Sequence, residues 1–406
     1  MSIRSVFILP YACFLAVLAR VTWSPIDSEQ ASFLGLTTDY SLLNSKLVVL
    51  SLAAILLPFI WYAGNPVKRL GIFPCTLITL AIISVAWTYN IGQTLFSLTL
   101  MLTIVGYALV STRLLGRRLA LLVVWLIATL IIVVSVVLAA IGDAHAIMGG
   151  NHGGLWRGIF AHKNSFGPFL GAHLLISMLG RRILGVPLVV IWMVAAIDLV
   201  AIVAAGSSTA LLSLATGLAV AAVLAPFKVR GLRNLWRAII GAVACGMVAF
   251  MVIDPDSALS LLGRDATLSN RTVMWSQVYP LSLSHKLGTG YATGGGAQVS
   301  FEVQKAVHRK DAQGVQSGYL NLALELGWGT VVLFLSWGIF TLIGLFRSLG
   351  ISDGKALVGA LMAQHLVISF SESFGCIMPS WSLYILLLVV VLWRDLQATN
   401  VEAPAA

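Results

Sequence analysis

Apolar residues in this chain are gathered into long runs separated by short polar breaks. A helix needs ~20 such residues to cross ~30 Å of hydrocarbon. Runs of about that size have cores near 5–20, 47–63, 72–88, 95–111, 119–140, 164–180, 184–205, 209–226, 236–253, 326–346, 356–371 and 381–394. The pattern predicts an all-α, polytopic membrane protein of about twelve transmembrane helices. Its first run follows Arg4 and has the look of a signal peptide. Val17-Leu18-Ala19 is a poor cleavage signature, so the run is read as a retained first span. Three segments, 21–46, 141–163 and 254–325, are longer or more polar than the other breaks. The last far exceeds what a connection needs. The chain therefore divides into 1–253 with nine helices, a large loop at 254–325 with short helices, and 326–406 with three helices and a tail.

Composition agrees with the pattern. Of the 406 residues, 59% are hydrophobic and 10% charged, where a soluble domain carries about 25% charged. So few charges would not keep a soluble protein of this length in solution. Cys13, Cys75, Cys245 and Cys376 lack metal-ligand spacing and read as small buried apolar residues. His152 and His162 have no carboxylate or thiol close by, so no metal site is expected.

The formal charge of +10 changes meaning once it is mapped. With the N-terminus inside, the cytoplasmic breaks hold Arg4; Lys68 and Arg69; Arg113, Arg117 and Arg118; Arg181 and Arg182; Lys228, Arg230, Arg233 and Arg237; Arg347 and Lys355; and Arg394. Breaks 89–94, 206–208 and 372–380 hold none. This is the positive-inside pattern, with both termini cytoplasmic. A nucleic-acid partner is not expected. The outer loop nonetheless keeps Arg264, Arg271, Lys286, Lys305, Arg309 and Lys310. Cations held against the topogenic bias call for an anionic ligand.

Within the large loop, 272–283 can form only a short amphipathic helix before or around Pro280, and Gly288–Gly296 reads as flexible turn. It lacks the Gly-Lys-Ser/Thr ending of a phosphate loop. The densest polar cluster is Trp156-Arg157-Gly158-Ile159-Phe160-Ala161-His162-Lys163-Asn164-Ser165-Phe166-Gly167, at the mouth of the sixth span. Asn164 or Ser165 can cap that helix. Its positive dipole end, with Arg157 and Lys163, suits an anion, and arginine can fork two phosphate oxygens. A helix cap with anchors for lipid headgroups would look the same.

That stretch resembles the motif of the O-antigen ligase / polysaccharide polymerase superfamily, closest to its exopolysaccharide-polymerase branch. Three further stretches fit in order: Leu262–Thr272 with Trp275, Gly318–Gly327, and Ser371-Glu372-Ser373. The resemblance implies a metal- and cofactor-independent glycosyltransferase of the bacterial inner membrane, acting on its periplasmic face. The donor would be an oligosaccharide on a polyprenyl diphosphate, and a sugar hydroxyl of the acceptor would displace the diphosphate. Arg157, Lys163 and Arg271, with Arg264, match the residues that hold it, and growing charge on the leaving group would be neutralised there. His162, Asn164, Asp265 and Glu325 flank the matched positions as further substrate contacts.

One departure bears on the reaction. The ligase branch has a histidine where this chain has Gln316, followed by Ser317 and Gly318. Glutamine hydrogen-bonds a hydroxyl but cannot take its proton at neutral pH. His308, Glu302, Asp265 and His162 are the alternative bases. The departure favours a polymerase joining lipid-linked repeat units over a ligase that moves glycan to lipid A core or protein. A flippase is a third reading, though transporters concentrate polarity near the midplane. The implied partners are the lipid-linked oligosaccharide and the bilayer, with a chain-length regulator or export complex as an optional addition. Inside the spans, Asp198 reads as protonated or paired, and His173 and His365 as interhelical hydrogen-bond partners.

Overall fold

The computed structural model describes residues 2–21, 39–149, 153–160, 162–224, 271–293, 315–347, 353–373 and 375–401. These residues form helices and turns with no strand; a single antiparallel bridge joins Ile147 and Trp156. The helices are α1 (Ile3–Val21), α2 (Asp39–Leu56), α3 (Pro66–Leu70), α4 (Ile72–Ile83), α5 (Ile91–Ala140), α6 (Lys163–Leu179) and α7 (Arg181–Leu184). There follow α8 (Leu188–Ala205), α9 (Ser208–Leu224), α10 (Arg271–Ser284), α11 (Gly318–Leu326), α12 (Trp328–Arg347), α13 (Asp353–Ser371) and α14 (Trp381–Val401). Helix lies on every expected core but 236–253, which is outside the described residues. Among the described residues, α5, α8 and α12 are long and apolar enough to cross a membrane. The expected count of about twelve goes beyond these three.

The fourth and fifth expected spans are two halves of α5. Its 50 residues are broken at Gly116, whose backbone (φ 75°, ψ 170°) is not helical. Only glycine takes that φ without strain, and no atom of the described residues lies within 4 Å of where its Cβ would be. The break answers to backbone geometry rather than to packing. It gathers Arg113, Arg117 and Arg118 at one end of the bundle.

Burial shows what surrounds the bundle. On α8, Val189, Trp192, Met193, Val200 and Val203 are 58–71% exposed, while Ile191, Ala195, Asp198 and Ile202 face inward. An exposed apolar face of this size fits lipid rather than water. Cys13, expected to be buried, lies on such an outer face of α1. Helix α14 is the opposite case. Every residue from Leu383 to Trp393 is at most 7% exposed, and the helix touches α3, α5, α6 and α13. A helix apolar all round can be satisfied by protein on every side.

Polar ties fix α14 in place. Tyr384 and Tyr11 share a hydrogen bond of 2.5 Å between hydroxyls, inside a cluster with Phe7, Phe14 and Tyr107. Near its far end, buried Arg69 grips Asp395 through Nε at 2.9 Å and Nη2 at 2.5 Å. The same guanidinium donates to the Ala63 and Leu109 carbonyls and to Thr112 Oγ1. All five N–H groups are used, which lets a buried cation persist.

At the other end, residues 288–293 are not the flexible turn expected from their glycines. Tyr291 is fully buried, its hydroxyl donating to Ile377 O at 2.8 Å and its N–H to Ser84 Oγ at 3.0 Å. Burial, with Glu325 adding to it, holds the Tyr291 phenol well above its ordinary value. Gly288 (φ 74°) lies against the Glu325 backbone and Gly290 (φ 105°) against Thr88. Here glycine serves close approach rather than mobility. Helix α10 is the short helix expected at 272–283, running around Pro280 to Ser284. Ser282 and Ser284 hydroxyls donate to the Tyr279 and Leu281 carbonyls in its last turn, each at 2.7 Å.

Candidate functional site

Of the polar residues singled out in the sequence, Lys163, Arg271 and Gln316 lie near the ends of α6, α10 and α11, tied through Gly206, Thr209 and Glu372 to the ends of α9 and α13. Helix α6 starts after His162, whose backbone is extended (φ −147°, ψ 149°). His162 is itself the cap: its Nδ1 accepts the Asn164 N–H at 3.1 Å. The expected caps, Asn164 and Ser165, already lie inside the helix. A cap must have non-helical φ/ψ, and helical backbone begins at Lys163. With Nδ1 accepting, the neutral ring carries its proton on Nε2.

Lys163 is 6% exposed and its Nζ donates to Gly206 O at 3.1 Å. It stands in the first turn of α6, where the helix dipole is already positive. Cation and dipole together make this mouth attractive to an anion. Asn164 Oδ1 is buried with no hydrogen-bond partner among the described residues. Two glycines make the close packing possible. A Cβ on Gly158 (φ 58°) would run into Ser135 on α5, and one on Gly167 would sit 2.7 Å from Ala210 Cβ. Both glycines of the motif are therefore contacts with neighbouring helices. Arg157 donates from Nε to His145 O at 3.0 Å, which anchors it to the loop before α6.

Arg271 opens α10 and is 8% exposed. Its Nε donates to Gln316 Oε1 at 3.0 Å, Nη1 to Ser371 O at 2.5 Å and Nη2 to Glu372 Oε1 at 3.2 Å. Three of its five N–H groups are thus engaged. The two others, one on each terminal nitrogen, have no acceptor among the described residues, and paired guanidinium N–H groups can fork two phosphate oxygens.

Gln316 adopts φ 47°, a conformation uncommon for a side-chain-bearing residue outside asparagine and aspartate. Its neighbours hold it there. Trp275 Nε1 donates to Val315 O at 3.1 Å, and Ser317 caps α11 by accepting the Leu320 N–H at 3.5 Å. The Gln316 carbonyl faces Arg271, so its amide N–H₂ remains to orient a hydroxyl.

Glu372 belongs to the stretch that carried least weight in the sequence, yet it ties the site together. Besides Arg271, its Oε1 accepts the Thr209 hydroxyl at 3.3 Å, and Thr209 Oγ1 accepts the Ser371 hydroxyl at 3.1 Å. The loop after Glu372 folds tightly: Ser369 Oγ accepts the Cys376 N–H at 2.7 Å, and Cys376 takes φ 54°. Burial pushes the Cys376 thiol up from its ordinary value. Thr209 was missed altogether. Its only signal was Gly206-Ser207-Ser208-Thr209, a run of small polar residues between two apolar spans.

Lys163 and Arg271 therefore reach the same turn of chain from two sides, through Gly206 and through Thr209. Glu325, 1% exposed, takes the Asn321 Nδ2 donor at 3.1 Å and packs with residues 288–291. His308, Arg264 and Asp265 lie outside the described residues. In the spans, His173 Nδ1 meets Asp198 Oδ2 at 2.9 Å, joining α6 to α8, and His365 meets Ser382 Oγ at 2.7 Å, joining α13 to α14. Both histidines have the interhelical partners expected of them, and Asp198 is paired.

No curated protein matches the chain. The family model described as O-antigen ligase matches residues 188–335, which run from α8 to α12 and include Thr209, Arg271 and Gln316. Over that stretch, a little more than a third of the chain, the protein is similar to the O-antigen ligase / polysaccharide polymerase superfamily.

Proposed function

We propose that the protein is a polysaccharide polymerase of the bacterial inner membrane. It transfers a growing glycan from a polyprenyl diphosphate to a sugar hydroxyl of a second lipid-linked repeat unit. The site faces the periplasm and both chain termini are cytoplasmic. The observation that carries this reading is the Arg271 guanidinium, fixed by Gln316, Ser371 and Glu372 with two N–H groups left for an anion. Lys163 and the α6 dipole supply a second positive wall. Arg157 and Arg264 are assigned as further contacts for the donor, and Glu325 holds the loop at 288–291.

In the reaction, the acceptor oxygen bonds to the anomeric carbon of the donor sugar. The bond from that carbon to the diphosphate oxygen breaks, and the electron pair leaves with the diphosphate. Negative charge grows on that oxygen, so the fixed donors stabilise the transition state more than the ground state. Gln316 orients the attacking hydroxyl. It cannot remove the proton, which leaves late, to His308, to the departing diphosphate or to solvent. The donor already carries the bond energy, so the reaction uses no nucleotide and no metal.

Purified protein in liposomes with a polyprenyl-diphosphate repeat unit, chelator and no nucleotide should yield a ladder of lengthened products. Arg271→Ala should abolish it; an undiminished ladder would sink the site. The name of the matching family model favours a second reading, an O-antigen ligase. In that case, cells lacking the protein would accumulate long lipid-linked chains, whereas loss of a polymerase leaves single repeat units outside. Single units facing inward would mark a flippase.

A further inference from the structure

At the end of the bundle opposite Arg271, a cavity of about 310 Å³ opens between α5, α7, α13 and α14. Its walls are the apolar side chains of Leu357, Val358, Val389, Leu392 and Trp393, all at most 7% exposed. Its rim carries Arg117 and Arg118. We propose that this cavity binds an anionic phospholipid, its phosphate on the two arginines and the start of an acyl chain along the apolar wall.

Three observations support that occupant. The break at Gly116 turns both guanidinium groups out at the level where α5 ends its first span. Neither is paired with a carboxylate among the described residues; Arg118 donates only to Leu184 O, at 3.3 Å. A free phosphate would satisfy the arginines but leave the apolar wall without a partner. A neutral lipid would fill the wall and leave the guanidinium groups without one. Basic pockets between helices on the cytoplasmic side are suited to anionic headgroups, and Trp393 suits the depth of the headgroups.

Native mass spectrometry of the purified full-length protein tests this. It would be offered phosphatidylglycerol, phosphatidylcholine of the same chain length, and inorganic phosphate. The anionic lipid should be retained about tenfold better than the zwitterionic one, given two arginines near the surface. Arg117→Gln with Arg118→Gln should erase that preference while leaving polymer length and rate unchanged. Leu357→Trp, which fills the cavity from its wall, should weaken retention of both lipids. Equal retention of the two lipids by the unaltered protein would overturn the proposal. So would an anionic preference that survives the double arginine substitution, or displacement of the lipid by millimolar inorganic phosphate.

Discussion

The Arg271 guanidinium and the Glu372 carboxylate meet at 3.2 Å although 101 residues separate them in the chain. Both side chains are at least nine-tenths buried. A buried pair of this kind is a poor source of net stability but costly to break on one side. Arg271→Lys keeps the charge and loses the fork. It should cut the transfer rate by about 100-fold, the scale of losing one oriented donor to a developing oxyanion. Glu372→Ala should lower stability by about 3 kcal/mol, because it leaves a buried cation without its partner. Glu372→Gln, which still accepts from Arg271 and Thr209, should be milder. Transfer assays and thermal unfolding in detergent separate the two effects, and full activity in Arg271→Lys would contradict bidentate binding.

Gln316 offers a sharper separation of folding from chemistry. Glycine adopts φ 47° without the ~1 kcal/mol or more that a side chain incurs there. Gln316→Gly should therefore unfold at about the same temperature as the parent, strain relief offsetting the lost bond to Arg271. Transfer should nevertheless fall at least tenfold, since nothing orients the acceptor. Gln316→His should leave polymerisation standing. A large gain would mean that a base is wanted at this position.

These residues also show what could be read before the structure. Helix positions were legible because apolar runs of near-bilayer length leave little choice of conformation. Arg157–Gly167 was legible because its cations sit where insertion rules disfavour them. The Arg271–Gln316 contact was not, since sequence spacing says nothing about which loop ends meet. Thr209 was invisible for a related reason: a hydroxyl between apolar spans most often closes a helix end. Gly288 and Gly290 misled, because a glycine required for close approach looks in sequence like one that permits motion.

The two motif glycines make a paired prediction. Gly158→Ala must fit a Cβ against Ser135 at φ 58° and should lose about 2–3 kcal/mol, combining backbone strain with overpacking. Gly167→Ala has no positive φ to strain and meets the Ala210 methyl at 2.7 Å before Ser207 Cβ at 3.0 Å. Adding Ala210→Gly should recover most of its stability, whereas no such partner change relieves the strained backbone at Gly158. Denaturation midpoints of the three variants decide it. Equal losses at both sites would contradict the assignment.

Cys376 gives a pH-dependent test. Its folded pKa is raised by burial, so the buried thiol favours the folded state fully below the ordinary thiol range, about 8.5. As pH climbs above that value, the unfolded chain ionises and this contribution declines. The thiol should resist maleimide up to about pH 9 in the folded protein, because the thiolate is the reactive form. It should label quickly once unfolded. Labelling of the native protein at pH 8, measured in a variant whose other three cysteines are serine, would show that the 372–380 loop opens.

Helix α14, buried on every side, comes later in the chain than the four helices it packs against, α3, α5, α6 and α13. Those neighbours are made first and must hold a vacant seat at their centre until it arrives. Arg69 likewise waits for Asp395, which follows it by 326 residues, as a latch. A chain interrupted before residue 381 would leave the inner lining of these partners facing lipid, so the cell has a structural means of telling copies that lack α14 from those that carry it.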